Sequence, residues 1–298
     1  MDKNKKSKKI IDLIKWATFY LKKRGVDTPR LTAELLAEKI TGKSRLALYL
    51  NPNFCLTGKE LEEFEKKVRE RGRRIPLAYL VGESYFMGYK FLTPPGVYIP
   101  RPETEILVEE ALASIKRLKS SYCETLRVVD VGTGSGNIAI SLAKEVENAT
   151  FYATDVSSFA LKVAKENARL NKVAHRIHFL LGDLFSPLKG KNLEEKIDLV
   201  VSNPPYIETG RIRFLPPEVR KEPRFALEGG KDGLYFYRKI IPEALLWLKS
   251  GGYLLLEIGY DQALKVKKII MEKEKYWNNF KIIPDLDKNP RVIVARKK

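Results

Sequence analysis

The run Val128-Val129-Asp130-Val131-Gly132-Thr133-Gly134-Ser135-Gly136-Asn137-Ile138-Ala139-Ile140 decides the fold of this chain. Apolar β-branched residues lead into the glycines and an apolar helical pattern leads out, so the stretch reads as a strand, a tight loop and a helix start. Without a Cβ, Gly132, Gly134 and Gly136 can take positive φ and let the backbone lie against a ligand below a helix N-terminus. The spacing narrows the ligand. A dinucleotide fingerprint puts its third glycine where this chain has Asn137, and a phosphate loop ends in a Gly-Lys-Ser/Thr that is missing here. The next strand-like run, Thr150 to Thr154, ends in Asp155 about twenty residues on, where a carboxylate can hold two ribose hydroxyls.

An acid followed by Gly-x-Gly-x-Gly, here Asp130 and Gly132 to Gly136, resembles the S-adenosylmethionine loop of Rossmann-like methyltransferases. The chain beyond it has the matching rhythm. Ser157 caps a helix with Ala160, Leu161, Ala164 and Ala168 inward, and Ile177 to Leu181 is a third strand. That strand runs into Gly182-Asp183-Leu184-Phe185 at the carboxyl edge of the sheet, where open α/β sheets bind ligands. Asp183 is expected to accept from an adenine amino group and Phe185 to pack on the ring. A fourth strand, Ile197 to Ser202, leads directly into Asn203-Pro204-Pro205-Tyr206. Helices over 232–248 and 262–272 alternate with a strand over 253–258, and a close pair of strands ends the chain. Alternating strand and helix predicts an α/β fold, a Rossmann-like seven-stranded sheet with an antiparallel seventh strand.

Asn203-Pro204-Pro205-Tyr206 is the second motif that carries chemistry. Two consecutive prolines donate no backbone hydrogen bond and hold the chain extended, which leaves the Pro204 carbonyl free. Beside it the Asn203 amide oxygen is a second acceptor. Two acceptors match the two hydrogens of a planar NH₂ group, and Tyr206 offers an aromatic face to the plane that carries it. The acceptor is therefore an amide or an exocyclic amine. This motif occurs in methyltransferases acting on adenine, cytosine and glutamine, so it fixes the atom and leaves the molecule open.

Composition limits the alternatives. A chain of 298 residues with 44% hydrophobic and 31% charged content has room for two domains and is of a soluble globular class. Lysines crowd Met1 to Lys9 with no apolar segment of signal or membrane-spanning type behind them, so a cytoplasmic location is expected. Cys55 and Cys123 lack partner spacing for zinc and read as reduced and structural. With His175 and His178 as its two histidines, the chain gives no basis for a His-rich metal site or a Ser-His-Asp triad, and no metal is expected. Of the net charge of +18, residues 1–90 hold 21 Lys/Arg against 11 Asp/Glu, or +10. Such an excess attracts an acidic partner, protein or RNA.

The first third reads as helices. Ile10, Leu13, Ile14, Ala17 and Leu21 recur at helical spacing before Gly25. Thr28-Pro29 looks like an N-cap and first position, followed by Leu31, Leu35, Leu36 and Ile40 up to Gly42. Ser44 to Leu50 forms a third short helix. Thr57 with Glu60 reads as a capping box, opening a fourth helix with Leu61, Phe64 and Val68 inward and Lys66, Lys67, Arg69, Arg71, Arg73 and Arg74 mostly outward. Tyr85 to Phe91, broken at Met87-Gly88, reads as a hairpin. The expected division is a helical docking domain over 1–74, a linker with the hairpin over 75–96, and a methyltransferase domain over 97–298.

Taken in order, these motifs are similar to those of the peptide chain release factor glutamine methyltransferases. They are Arg74-Ile75-Pro76-Leu77-Ala78-Tyr79-Leu80-Val81-Gly82, Phe86-x-Gly88-x-x-Phe91, Ile99-Pro100-Arg101-Pro102-Glu103-Thr104-Glu105, the glycine loop, Asn203-Pro204-Pro205-Tyr206-Ile207, Glu222-Pro223-Arg224-x-Ala226-Leu227-x-Gly229-Gly230-x-Asp232-Gly233-Leu234 and Leu256-Glu257-Ile258-Gly259. The resemblance covers nearly the whole chain. It implies that Gly132, Thr133, Gly134, Ser135, Gly136, Asp155, Asp183, Phe185 and Asn203 bind S-adenosylmethionine, and that Asn203, Pro204, Pro205 and Tyr206 hold a glutamine. Some members carry Trp where this chain has Phe185. The implied reaction is methylation of the glutamine amide in the Gly-Gly-Gln motif of class 1 release factors, with no membrane or stable nucleic-acid partner and a monomeric enzyme. A ribosomal-protein glutamine methyltransferase is the nearest alternative. An adenine methyltransferase needs a base-reading segment that no stretch here supplies, and a catalytically idle RNA-binding protein would have no use for two intact motifs.

Overall fold

The structure is a computed structural model and describes residues 7–119 and 125–298; the lysines before Ser7 and Cys123 lie outside the described residues. The chain divides into two compact units, Met1–Glu83 with Pro216–Lys221, and Ser84–Leu215 with Glu222–Lys298.

In the first unit, β1 (Ser7–Lys9) pairs antiparallel with β2 (Cys55–Thr57), and around them stand α1 (Ile10–Lys23), α2 (Pro29–Thr41), α3 (Arg45–Leu50), α4 (Gly58–Gly72) and α5 (Leu77–Val81). The apolar stripe of α1 is buried at all five expected positions, and so are Leu61, Phe64 and Val68 of α4. In α2 the inward face is Ala33, Leu36 and Ala37, while Leu31 is exposed. Neither expected threonine cap forms a side-chain capping bond. Thr28 has φ 47°, outside the extended backbone that aims a cap side chain at the first turn. The small core accepts one buried acid, Glu34, because Tyr49 and Arg45 each donate to it at 2.6 Å and Arg30 at 2.9 Å. Arg71, expected outward, is buried, and it donates to Glu218 at 2.8 Å together with Arg74. A partner distant in sequence reversed its orientation.

In the second unit, a two-residue turn joins β3 (Glu83–Phe86) to β4 (Tyr89–Leu92), with Met87 and Gly88 at φ 50° and 74° as a tight antiparallel turn requires. Phe86 and Phe91 from this hairpin are fully buried in the core beside α6 (Glu103–Lys119). The main sheet comprises β5 (Leu126–Val131), β6 (Ala149–Asp155), β7 (Ile177–Leu181), β8 (Ile197–Ser202), β9 (Leu248–Glu257), β10 (Trp277–Pro284) and β11 (Pro290–Lys297), in the order β10-β11-β9-β8-β5-β6-β7. Strands β5 to β9 run parallel, and β11 is antiparallel to both β9 and β10. Helices α7 (Asn137–Glu145), α8 (Ser158–Leu170), α9 (Tyr235–Trp247) and α10 (Ala263–Met271) complete the α/β layers around two apolar cores. In such a sheet the strand order reverses outward from β5, with β6 on one side and β8 on the other, and ligands bind where it does. No helix among the described residues is long and apolar enough to cross a membrane.

Candidate active site

The carboxyl ends of β5, β6, β7 and β8 open into a cavity within the second unit. The glycine loop leaves β5 there. A Cβ added to Gly132 or Gly134 would meet no atom within 4 Å, and both have positive φ, so these two glycines present bare backbone to open space. Gly136 differs, since a Cβ there would press on Ile140 and Ala164. It is a glycine for helix packing, and the loop it ends feeds α7.

Two buried acids hold this loop. Asp130 Oδ2 accepts from the Thr133 hydroxyl at 2.6 Å and from the Ala139 backbone N–H at 3.2 Å. Burial pushes its carboxyl up to about 7 against those bonds. Asp155, at the end of β6, accepts from Gly134 N–H at 2.8 Å and from Ser157 N–H at 2.8 Å, and it faces the cavity. Burial raises its pKa too, with the backbone donors opposing.

On the other wall, Ser202 donates to the Val131 carbonyl at 2.7 Å and fixes the end of β8 beside the glycine loop. Asn203, Pro204, Pro205 and Tyr206 follow, all lining the same cavity. The Asn203 Nδ2 group donates to the Thr104 hydroxyl at 3.1 Å, which leaves Oδ1 as its free end. The loop is clamped from behind. Gln262 Nε2 donates to the Tyr206 carbonyl at 2.9 Å and to the Gly233 carbonyl at 3.2 Å, while Gly259 N–H and the Tyr237 hydroxyl donate to Gln262 Oε1. Gly229 packs so closely that a Cβ would stand 2.7 Å from the Pro205 carbonyl oxygen, and one on Gly233 would overlap the Tyr206 carbonyl. These glycines make room for the backbone of the Asn-Pro-Pro-Tyr turn. Tyr206 donates to Glu257 Oε1 at 3.4 Å, and burial followed by the Glu257 charge raises the pKa of its hydroxyl. A phenol held protonated serves as a donor and an aromatic wall.

Residues 12–82 match the family described as the PrmC N-terminal domain, and residues 124–293 match a methyltransferase-domain family. The chain is 41% identical to the release factor glutamine methyltransferase of Moorella thermoacetica over 92% of its own length and 93% of that protein. It is 40% identical to the enzyme of that name from Geobacter sulfurreducens, over 86% and 85%. The chain belongs to the release factor glutamine methyltransferase family. The crystal structure of the hMettl16 catalytic domain superposes with a TM-score of 0.54 at 16% identity, covering 83% of this chain and 84% of that one, which is a likeness of fold.

As a family member the chain is a protein-glutamine methyltransferase. Of the residues expected at its site, Gly132, Thr133, Gly134, Asp155, Asp183, Asn203, Pro204, Pro205 and Tyr206 line one cavity. Three do not. Phe185 is fully buried and stacks on Trp247 with ring centroids 6.3 Å apart, so it belongs to the apolar core and does not line the cavity. Its neighbour Leu184, at φ 47°, lines the cavity and packs against the same core. Ser135 is buried, donates to Asn137 Oδ1 at 3.2 Å and has its carbonyl bonded by Asn167; Gly136 packs on α8. Both shape the loop from behind. The cavity also draws on Tyr98, Val156, Phe225 and Phe236. Their apolar or aromatic side chains carry no spacing signal, since they come from separate segments.

Proposed function

We propose that this enzyme transfers a methyl group from S-adenosylmethionine to the side-chain amide nitrogen of the glutamine in the Gly-Gly-Gln motif of class 1 release factors. The observation that carries this reading is that one cavity is lined both by the open glycines at 132 and 134, with Asp155 at their edge, and by Asn203, Pro204 and Tyr206. The first set suits the cofactor: bare backbone at Gly132 and Gly134 leaves space for it, Asp155 accepts from the ribose hydroxyls, and Asp183, at the rim, accepts from the adenine amine. The second set suits a planar NH₂ group.

When bound, S-adenosylmethionine supplies a methyl group on a positively charged sulfur. An amide nitrogen is a poor nucleophile because its lone pair is delocalised into the carbonyl, so the task of the protein is orientation. Asn203 Oδ1 and the Pro204 carbonyl each accept one N–H, aiming the nitrogen in line with the methyl and favouring a pyramidal nitrogen, while Tyr206 packs on the amide plane. With its lone pair aimed in this way the nitrogen would take the methyl that the sulfonium supplies, leaving that group neutral, and the amide proton would leave to water. No His or Lys lines the cavity among the described residues, which agrees with a mechanism without a dedicated base.

The basic helical unit is read as a docking surface for the acidic face of the protein substrate, and such docking weakens as salt rises. The reaction belongs to translation termination in the cytoplasm. Labelled S-adenosylmethionine offered with purified release factor, a ribosomal protein or total RNA tests the reading. Label is expected on the release factor and lost when its Gly-Gly-Gln glutamine is replaced. Label on the ribosomal protein or on RNA instead overturns it.

A further inference from the structure

One buried amide that lies outside the cavity wall holds the Asn-Pro-Pro-Tyr turn. Gln262, at the start of α10, is 4% exposed and does not line the cavity. Its Nε2 donates to the Tyr206 carbonyl at 2.9 Å and to the Gly233 carbonyl at 3.2 Å, and its Oε1 accepts from Gly259 N–H at 3.0 Å and from the Tyr237 hydroxyl at 3.3 Å. A side-chain amide has two protons and two lone pairs, so all four sites are used, and the backbone partners fix which end is which. The prolines make this anchor matter. Pro204 and Pro205 have no N–H, so they offer the rest of the protein their carbonyls alone as handles. The Pro204 carbonyl is the one read as facing the substrate. Among the described residues, the Tyr206 carbonyl is the main-chain group of residues 203–206 that a side chain holds. Ile207 N–H then donates to the Leu227 carbonyl at 2.9 Å and Gly229 N–H to the Ile207 carbonyl at 2.8 Å, so Gln262 bolts the turn to the segment over 229–233 that packs on it.

We propose that Gln262 is a positioning residue for methyl transfer: by holding the Tyr206 carbonyl it sets, through the stiff proline pair, where the Pro204 carbonyl and the Asn203 amide stand in the cavity. This rests on the reading of those two groups as acceptors for the substrate NH₂. A displacement of about 1 Å caused far from the reacting atoms can cost about a hundredfold in rate, because alignment is lost while contacts persist. The glycine loop is held by other residues, Asp130 and Asp155, so turnover and cofactor affinity should separate when Gln262 is changed.

A carboxyl at this position separates anchoring from mere space-filling. Gln262→Glu keeps length and acceptor, but when ionised it sets a carboxylate against the Tyr206 and Gly233 carbonyl oxygens, acceptor against acceptor. Protonated, it regains one donor. A carboxyl buried here has a raised pKa, so the donor returns as pH falls through the neutral range. The ionisable groups around it are Tyr206 and Tyr237, both kept protonated by burial, and Glu257 behind them, pushed by burial up to about 7. Asp232 and Asp261 on the flanking loops are paired with Arg238 and Arg211. Glu257 titrates in variant and wild type alike and cancels in their ratio.

The test compares Gln262→Met, which keeps the length and loses all four bonds, and Gln262→Glu with wild type in the full chain. The readouts are kcat on a class 1 release factor, S-adenosylmethionine affinity by calorimetry, and the Asn203 side-chain ¹⁵N–¹H signals of the free enzyme. Gln262→Met should lower kcat by about tenfold or more with cofactor affinity within about twofold, the size expected when an orienting bond is lost. The Asn203 signals should move, although the substitution lies 59 positions away in the chain. For Gln262→Glu, the ratio of its kcat to that of wild type should rise as pH is lowered from about 8 to about 6. A wild-type kcat in Gln262→Met, a cofactor affinity that falls as far as kcat does, or unmoved Asn203 signals overturns the proposal, and so does a flat ratio for Gln262→Glu. If Gln262→Met fails to fold, the ratio for Gln262→Glu decides. If the wild-type enzyme does not methylate release factor, the functional reading falls by itself, and the Asn203 signals still decide whether Gln262 sets the turn.

Discussion

Asp155 Oδ2 accepts the backbone N–H of Gly134 at 2.8 Å, so the acid that ends β6 and the glycine loop that follows β5 are bonded directly to each other. The loop conformation and the proposed ribose contact then depend on one side chain. Asp155→Ala should weaken S-adenosylmethionine binding by roughly 1.5–3 kcal/mol, the value of hydrogen bonds to a charged group. Titration calorimetry measures this, and an unchanged affinity would remove Asp155 from the site.

Asn203→Ala should lower turnover on the order of a hundredfold or more, as loss of other preorganised groups does, because its amide is proposed to act in the transition state. Asn203→Asp separates two effects. A carboxylate also accepts, but its charge beside the sulfonium favours the charged ground state over a transition state in which that charge disperses. The expected outcome is cofactor binding at least as tight as wild type with slow turnover. Steady-state kinetics with independent binding data checks it, and near-normal turnover in Asn203→Ala would refute the role.

Phe185→Ala should act on stability. The ring is fully buried against Trp247, and truncating such an aromatic costs about 3–5 kcal/mol. Denaturant unfolding should show that loss, and cofactor affinity measured well below the unfolding midpoint should change little. A selective loss of affinity at unchanged stability would return Phe185 to the adenine site.

Stability should also depend on pH in an unusual direction. Asp130 and Glu257 both have folded pKa values pushed up to about 7 from 3.8 and 4.5. Between pH 5 and 7 the unfolded chain has already lost these protons while the folded one keeps them, so the folded state binds more protons and stability falls as pH rises. Lowering the pH from 8 to 6 should stabilise the ligand-free enzyme by about 1–2 kcal/mol for each group. Thermal unfolding should show the rise, and Glu257→Gln should remove its share. A melting temperature that rises from pH 6 to 8 would contradict both shifts.

The sequence by itself determined the fold and the two motifs. Alternating β-branched strands and helical stripes, the glycines at 132 and 134, and the prolines at 204 and 205 act through local backbone freedom, and local rules read them correctly. What a side chain meets across the fold was decided only by the tertiary structure. Phe185 follows Asp183 by two residues, yet its ring lies in the core while Asp183 and Leu184 line the cavity. Arg71 looked like surface charge until Glu218 supplied a partner. Gly229 and Gly233 stood only as letters of a motif, and their purpose lies in the Tyr206 backbone packed against them. Thr104 was visible as one letter of a motif, but its bond to Asn203 spans 99 residues. Such contacts depend on which elements the sheet order brings together, and no spacing along the chain records them.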